Sequence, residues 1–366
     1  MISIIVTFYD NRRMLSLCLR QLLPTLRGHD VEVIVVDDNP DRGTARAALG
    51  PRSVRVIRAP SNLGYSAACD VGVDAARGKH VLFMDNDIVV TSRWLDELLA
   101  TSARNRRAGG IAAKLLDLST GGIFAYGASL HGVDTVHPYR GNVADYPLTI
   151  EDRQFQIISS GTMLMERAFF RRLGGFDPRL RNSFSDFDLA MKMWNDGRCG
   201  VVSSRALVFH RGSVAGVARH AHYADTKAQF FKRWGTQIEY DGLVFLADAC
   251  RLLLQDGTLP SSPFLAINLS STLDWEDYVD AAAEALGIRI VQRYSFGALE
   301  RNLSHIRIED RVDWSTCRLR VPILYFVDRF SSVVANHYWF TNRAVQTDVV
   351  ADRNGNVARV ASLRKR

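Results

Sequence analysis

The chain has 366 residues, 47% hydrophobic and 23% charged, with a net charge of +7, the balance of a globular chain with one large domain or two ordinary ones. The positive excess suits an anionic substrate, such as a nucleotide diphosphate, or an acidic surface. It is spread along the chain rather than gathered in a block, so nucleic acid is not implied.

The N-terminus runs straight into ISIIVTFYD, which reads as a strand with no basic start and no cleavage site, so no signal peptide is expected. VEVIVVDD, VRVIRA and HVLFMD are further continuous Val- and Ile-rich runs, the mark of strands covered on both faces. Helical patterns lie between them: RMLSLCLRQLLPTL, RGTARAALG and YSAACDVGVDAARG. That alternation predicts an open, mostly parallel α/β sheet with helices on both faces. After the helix SRWLDELLATSARN, the segments IAAKLLD, GGIFAYGASL and FQIISSGTMLM read as strands. ERAFFRRLGG reads as a short helix closed by a glycine pair. SDFDLAMKMWNDG reads as a helix with Ser185 or Asp186 as its N-cap. The strand CGVVSSRALVFH and the basic aromatic helix HYADTKAQFFKRWG follow.

From about Gly242 the text changes. GLVFLADACRLLLQDG is an amphipathic helix, and PFLAINLSS, DWEDYVDAAAEALG and IRIVQRY read as strand, helix, strand. RLRVPILYFV is a further strand. VVADRNGNVARV places Asn354-Gly355 between apolar alternations, a type I′ hairpin signal. The expected organisation is a catalytic domain over 1–240, split into halves 1–118 and 119–240, and a smaller α/β region over 241–366. The aromatic stretch ILYFVDRFSSVVANHYWF mixes in Asp, Arg, Asn and His and reads as core rather than lipid contact.

Five scattered cysteines, Cys18, Cys69, Cys199, Cys250 and Cys317, form no Cys-x-x-Cys pair. They argue against a disulfide framework or a zinc site and suit a reducing compartment. No apolar run approaches the ~18 residues that span a bilayer. The expected location is the cytoplasm, with no transmembrane segment. Peripheral membrane contact stays open, and the Asn-Leu-Ser sites at Asn268 and Asn302 count as chance matches.

In open α/β sheets ligands bind beyond the carboxyl ends of the strands. The residues there are Thr7 with Tyr9 and Asp10, Asp37 with Asp38, and Asp85 with Asp87. The acids of VVDDNP could accept hydrogen bonds from a nucleobase or ribose, or could simply form a turn. Asn62 and Gly64 of SNLGYSAACD stand either in a donor-binding loop or in a plain turn. No Walker A pattern or G-x-G-x-x-G is present, which disfavours P-loop and dinucleotide enzymes. FMDND sets two carboxylates one residue apart at the end of an apolar strand. Such a pair resists burial unless a positive charge sits between them; Mg²⁺ or Mn²⁺ takes such ligands and keeps positions open for phosphates. Asp186 and Asp188 of FSDFDLAMKM either cap a helix or include a general base. His210 of ALVFHRGS is either structural or a third metal ligand. Trp234, in QFFKRW, either packs on the core or stacks on an acceptor.

The order of these pieces resembles the inverting glycosyltransferases with the GT-A fold, the family 2 type. TFYDNRRMLSLCLRQLL, VVDDNP and SNLGYSAACDVGVDAARGKHVLFMDND resemble their nucleotide-sugar half. SSGTMLMERAFFRRLGGFDPRL is similar to their acceptor-side segment, SDFDLAMKMWNDG to their base motif, and VFHRGS to their late histidine ligand. The resemblance covers about residues 1–236. It implies a GT-A-like sheet and transfer of a single sugar from a nucleoside diphosphate sugar to a hydroxyl of a glycan, lipid-linked carrier or secondary metabolite. Thr7, Tyr9, Asp38, Asn62 and Asp85 would bind the donor. Asp85, Asp87 and His210 would hold Mn²⁺ or Mg²⁺. Asp186 would be the base, and Gly161, Asp188 and Trp234 would lie on the acceptor side. The sequence departs from the family's pattern at Ser185, where Glu is usual, and at Asp70, where Asn is common. The other readings are a nucleotidyltransferase and a catalytically inactive nucleotide- or glycan-binding module. The region 241–366 could bind the acceptor, form a homodimer or dock at a membrane.

Overall fold

The first four apolar runs form strands as their composition dictates: β1 (Ile2–Phe8), β2 (Val31–Asp37), β3 (Val54–Arg58) and β4 (His80–Asp85). They lie in the order β3-β2-β1-β4, every neighbouring pair parallel. The structure, a computed structural model, describes residues 1–39, 54–211, 222–295, 321–330 and 347–363. The helix expected within 42–50, Asn302, Cys317 and most of the aromatic stretch after Phe330 lie outside the described residues.

Side chains alternate across β1, so its two faces pack on different helices. Ile4, Val6 and Phe8 share a core with Leu15, Cys18, Leu19 and Leu22 of α1 (Arg12–Thr25) and Trp94, Leu95 and Leu98 of α3 (Trp94–Arg104). Ile5 faces the other way, onto Gly72 of α2 (Tyr65–Ala75), where an added Cβ would lie 2.4 Å from its Cγ2. Gly72 therefore sets how closely that helix lies on the sheet. Asn11 starts α1 from the left-handed region (φ 69°), its Oδ1 accepting the Met14 N–H.

Beyond β4 the sheet becomes mixed. β5 (Ile88–Val90) follows β4 after a two-residue turn, and β6 (Gly110–Asp117) and β7 (Ile123–Ala125) come next in the chain. β10 (Arg153–Phe155), β11 (Thr162–Glu166) and β12 (Gly200–His210) complete the ten-stranded sheet. β3, β2, β1, β4, β6 and β12 run one way, while β11 and β10 run against them. Three helices belong with this half: α4 (Arg167–Arg172), α5 (Ser185–Asn195) and α6 (Tyr223–Trp234).

Two local expectations differ here. The strand expected over 155–165 is two strands, β10 and β11, because the chain leaves the ladder at Gln156–Gly161 and passes beside Asp85. The N-cap of α5 is neither Ser185 nor Asp186 but Phe184, in the left-handed region at φ 58° and with no side-chain cap bond. The ring of Phe184 packs on Phe187, Tyr223, Phe230 and Phe231, and that aromatic cluster holds a backbone that a bulky residue rarely adopts.

The chain divides into two units, residues 1–129 with 143–239, and residues 130–142 with 240–366. The second has its own five-stranded sheet in the order β14-β13-β15-β16-β17. Its strands are β13 (Phe264–Asn268), β14 (Ile290–Ser295), β15 (Ile323–Val327), β16 (Val349–Asp352) and β17 (Val357–Arg359), parallel except for the β16–β17 hairpin. Helices α7 (Gly242–Gln255) and α8 (Trp275–Leu286) bury Leu246, Cys250, Tyr278 and Ala282 against Leu324 and Phe326. The short α9 (Val360–Leu363) ends the described chain. A small hairpin, β8 (Ser129–His131) with β9 (Asp134–Val136), opens the 130–142 segment.

The Asn354-Gly355 hairpin forms, but not as a type I′ turn. Gly355 has φ 72°, whereas Asn354 is not in the positive region that type I′ needs. The buried Asp352 carboxylate organises the turn instead, accepting the N–H groups of Asn354 (2.9 Å) and Asn356 (3.1 Å) and the Asn356 amide (2.9 Å). The tip then pairs with the 130–142 segment: Tyr139 N donates to Asn354 O (2.8 Å) and Asn356 Nδ2 to Arg140 O (2.8 Å).

Candidate active site

The parallel register brings three strand ends level. Thr7 on β1 is opposite Val36 on β2 and Asp85 on β4, and Phe8 is opposite Asp37. Asp38 N donates to Phe8 O (2.7 Å), and Asn39 Nδ2 donates to Tyr9 O (2.7 Å), so the ends of β1 and β2 are tied together. Tyr9 is exposed beyond them.

Asp38 is buried, and its two oxygens accept the N–H groups of Leu63 (2.7 Å) and Gly64 (2.8 Å). Burial pushes its carboxyl above the usual range against those two bonds. Its position therefore shapes the loop ahead of α2. Gly64 has φ 82°, and a Cβ there would lie 3.1 Å from Arg181 Cβ, so both the turn and the close approach call for glycine. Asn62 is exposed, and its carbonyl and side-chain oxygens accept from Arg181 Nη2 (2.9 and 3.2 Å).

The FMDND turn works through topology. After Asp85 the chain leaves the centre of the sheet, turns at Asn86 and Asp87, and pairs as β5 with the end of β12. That ladder sets His210 opposite Ile88. Arg211 N donates to Asp87 O (3.3 Å), closing the same turn. His210 Nε2 consequently lies 3.3 Å from Asp87 Oδ1, with both residues buried. Ligand atoms of Asp85, Asp87 and His210 all fall within 4.8 Å of one another. The His210 ring also packs on Phe124, 4.5 Å between centroids.

Two carboxylates and an imidazole so close form a donor set that fits Mn²⁺ and, through the oxygens, Mg²⁺. The two acids also act on the layer beneath. The Cys18 thiol is pushed up to about 12, first by burial and then by the negative charges of Asp87 and Asp85. It is an inert core group rather than a ligand.

Gly161 lies against this cluster. Its carbonyl accepts the Asp85 N–H (3.0 Å), and an added Cβ would stand 3.0 Å from Asp85 Oδ2. Ser160 beside it shares a 2.8 Å hydrogen bond with the Tyr65 hydroxyl. The Tyr65 phenol is held well above its ordinary pKa, chiefly by burial, with the charges of Cys69, Asp85 and Asp186 adding to it. Asp85 and Asp186 therefore both act on one hydroxyl, although they come from β4 and α5. Asp186 is half-buried in the first turn of α5, and its Oδ1 accepts the Phe187 N–H (3.1 Å).

Asp188 lies two residues beyond Asp186, with no exposure at all. Its Oδ1 accepts from Trp234 Nε1 (2.8 Å) and lies 3.0 Å from Arg233 Nη1. Lys192 Nζ lies 2.9 Å from Oδ2, close enough to pair charges but outside hydrogen-bond geometry. Trp234 is itself buried. The pair thus joins α5 to α6 beneath the turn that carries Asp186.

Tyr65 and Arg181 are the residues that sequence patterns did not single out. Nothing local marks them, since each matters only through a contact with a distant loop.

Residues 3–115 match the family model described as Glycosyl transferase family 2. This segment is similar to the family 2 glycosyltransferases. It carries Thr7, Tyr9, Asp38, Asn62, Asp85 and Asp87, while Gly161, Asp186, Asp188, His210 and Trp234 lie beyond it. The O-antigen biosynthesis protein RfbC of Myxococcus xanthus is 29% identical over 232 residues, 58% of this chain and 17% of that protein. Polypeptide N-acetylgalactosaminyltransferase 10 of Mus musculus is 28% identical over 182 residues, 45% of this chain and 30% of that protein. The chain thus spans less than a third of either relative. The fold is also seen in the crystal structure of GalNAc-T7 with UDP, GalNAc and Mn²⁺, with a TM-score of 0.53 and 18% identity over 79% of this chain and 55% of that one. No helix among the described residues is long and apolar enough to cross a membrane.

Proposed function

We propose that the first unit is a metal-dependent inverting glycosyltransferase. It moves one sugar from a nucleoside diphosphate sugar to a hydroxyl of a glycan, lipid-linked carrier or secondary metabolite. The observation that carries this reading is the convergence of Asp85, Asp87 and His210 within 4.8 Å at the carboxyl end of the sheet. A divalent cation held there would neutralise charge developing on the leaving diphosphate.

The residues of the chain supply the rest. Thr7, Tyr9, Asp38 and Asn62 frame the donor pocket around the nucleoside, with Tyr9 presenting its ring and Asp38 fixing the loop. Asp186 accepts the proton of the acceptor hydroxyl. The freed oxygen lone pair forms the new bond to the anomeric carbon as the carbon–oxygen bond to the diphosphate breaks, so the configuration inverts. Gly161 lets the acceptor-side strand approach the donor carboxylate. Asp188 and Trp234 position the base through α5. The free thiols of Cys18, Cys69, Cys199 and Cys250 support a cytoplasmic setting.

The GalNAc-T7 structure, solved with UDP, makes a uridine nucleotide the first donor class to test. Calorimetric titration with UDP, GDP, dTDP, CDP and ADP, each with and without Mn²⁺, tests the reading. One metal-dependent binder, weakened in Asp87→Ala, supports it. Well-folded protein that binds none of the five refutes it. The anomeric configuration of the product, read by NMR, tests inversion separately.

A further inference from the structure

The second unit has the topology of a ligand-binding sheet in its own right. Numbered by chain order, its strands lie 2-1-3-4-5: β14, β13, β15, β16, β17. From β13 the chain passes through α8 to β14 on one side, while β15 has β16 on its other side. The connections therefore part between β13 and β15. In open α/β sheets that parting leaves a crevice beyond the carboxyl ends of the two strands, and ligands bind there.

The residues at that point are polar and tightly arranged. β13 ends at Asn268, whose Oδ1 accepts from Ser270 N (2.8 Å) and Oγ (2.6 Å). Its amide donates to Ser295 Oγ (3.0 Å) at the end of β14. Asp328, directly after β15, accepts from Ser271 N (3.0 Å) and Ser271 Oγ (3.1 Å) across the crevice. Thr272 follows; it is 7% exposed, and its buried hydroxyl has no hydrogen-bond partner among the described residues. A hydroxyl left so costs about 1–3 kcal/mol unless something outside the chain satisfies it.

The chemistry of this loop selects the ligand. The phosphate sites of P-loop and dinucleotide folds use a glycine-rich loop that leads into a helix N-terminus. Here the loop reads Leu-Ser-Ser-Thr-Leu-Asp, without glycine, and the first turn of α8 carries Glu276 and Asp277. Carboxylates at that end repel anions. Asp328, the serines and Thr272 instead offer acceptors and donors to a neutral ligand rich in hydroxyls.

We infer that the second unit binds a neutral saccharide at the β13–β15 crevice, with Asp328, Ser271 and Thr272 as the recognition residues. The inference does not rest on the transferase reading of the first unit. The test uses the full chain on an array of neutral and acidic oligosaccharides, in EDTA and without nucleotide, followed by titration of the strongest neutral hit. The wild type should retain neutral oligosaccharides, and Thr272→Val and Asp328→Asn should each lose about tenfold or more in affinity. Thr272→Val removes a hydroxyl with no partner among the described residues, so its melting temperature should match or exceed the wild type's, and it remains informative if Asp328→Asn fails to fold. Asp87→Ala should bind as the wild type does. The inference is overturned by retention of acidic glycans alone, by no retention, by undiminished affinity in Thr272→Val, or by loss of binding in Asp87→Ala.

Discussion

His210 Nε2 and Asp87 Oδ1 stand 3.3 Å apart, although one ends β12 and the other sits in the turn after β4. The short β5 makes the pairing by carrying the FMDND turn across to the end of β12. Removing either partner should therefore damage the same property. Asp87→Ala and His210→Ala are each expected to weaken Mn²⁺-dependent nucleotide binding by about tenfold or more, the scale on which even outer-shell groups affect metal affinity. Titration with nucleotide in Mn²⁺ and in EDTA reads this. Equal affinity in both media for the wild type would refute the assignment.

Asp186→Asn keeps the shape of the side chain and removes its capacity to accept a proton. Nucleotide binding should be unchanged, while single-turnover transfer falls by about 10²–10⁴-fold. Near-normal turnover would assign the base elsewhere.

Gly161→Ala places a methyl 3.0 Å from Asp85 Oδ2. The Asp85 side chain must yield, and a small misplacement near the reacting groups can cost about 10²-fold in rate. Global stability should change little, because Gly161 is not among the positive-φ glycines. Normal turnover with a normal melting temperature would show that Asp85 need not keep its position.

Asp188 is buried between Trp234, Arg233 and Lys192. Asp188→Leu leaves two cations facing an apolar group and should cost about 3–5 kcal/mol. Trp234→Phe removes one donor to a buried acceptor and should cost about 1–3 kcal/mol. Denaturant unfolding measures both. Trp234→Phe should also retain nucleotide affinity, since the indole is tied to Asp188 rather than to the donor pocket.

The Arg179 guanidinium, hydrogen-bonded to Asp177, holds that carboxyl down at about 2. In the unfolded chain an aspartate titrates near 3.9. The unfolded state therefore takes up a proton first as pH falls, and the contribution is complete above about pH 4 and lost towards pH 2. Arg179 is 74% exposed, so solvent screening keeps this contribution small. Asp177→Asn should flatten the acid limb of the stability curve in that window. An unchanged acid limb would place the acid sensitivity in other carboxylates.

Much of the first unit is legible in the sequence because its signals are local. A continuous Val and Ile run buries both faces of a strand, and the parallel sheet that follows from βαβ alternation sets where its polar ends lie. Asp85 and Asp87 announce themselves by ending an apolar run in like charges. Asp186 and His210 each keep two readings locally, and the nearness of His210 to the β4 turn depends on a three-residue strand that no pattern marks. Gly161 matters through the Asp85 oxygen beside it, Tyr65 through Ser160, and Phe184 through aromatic rings on another helix. The membership of residues 130–142 in the second unit rests on hydrogen bonds to Asn354 and Asn356, far along the chain. The sequence alone determined the α/β class and the strand ends where chemistry could occur, because periodicity and burial act over neighbouring residues. Tertiary structure alone decided which carboxylates meet an imidazole and which are buried as braces, because those outcomes depend on strand order and register, which bring together residues that share no local signal.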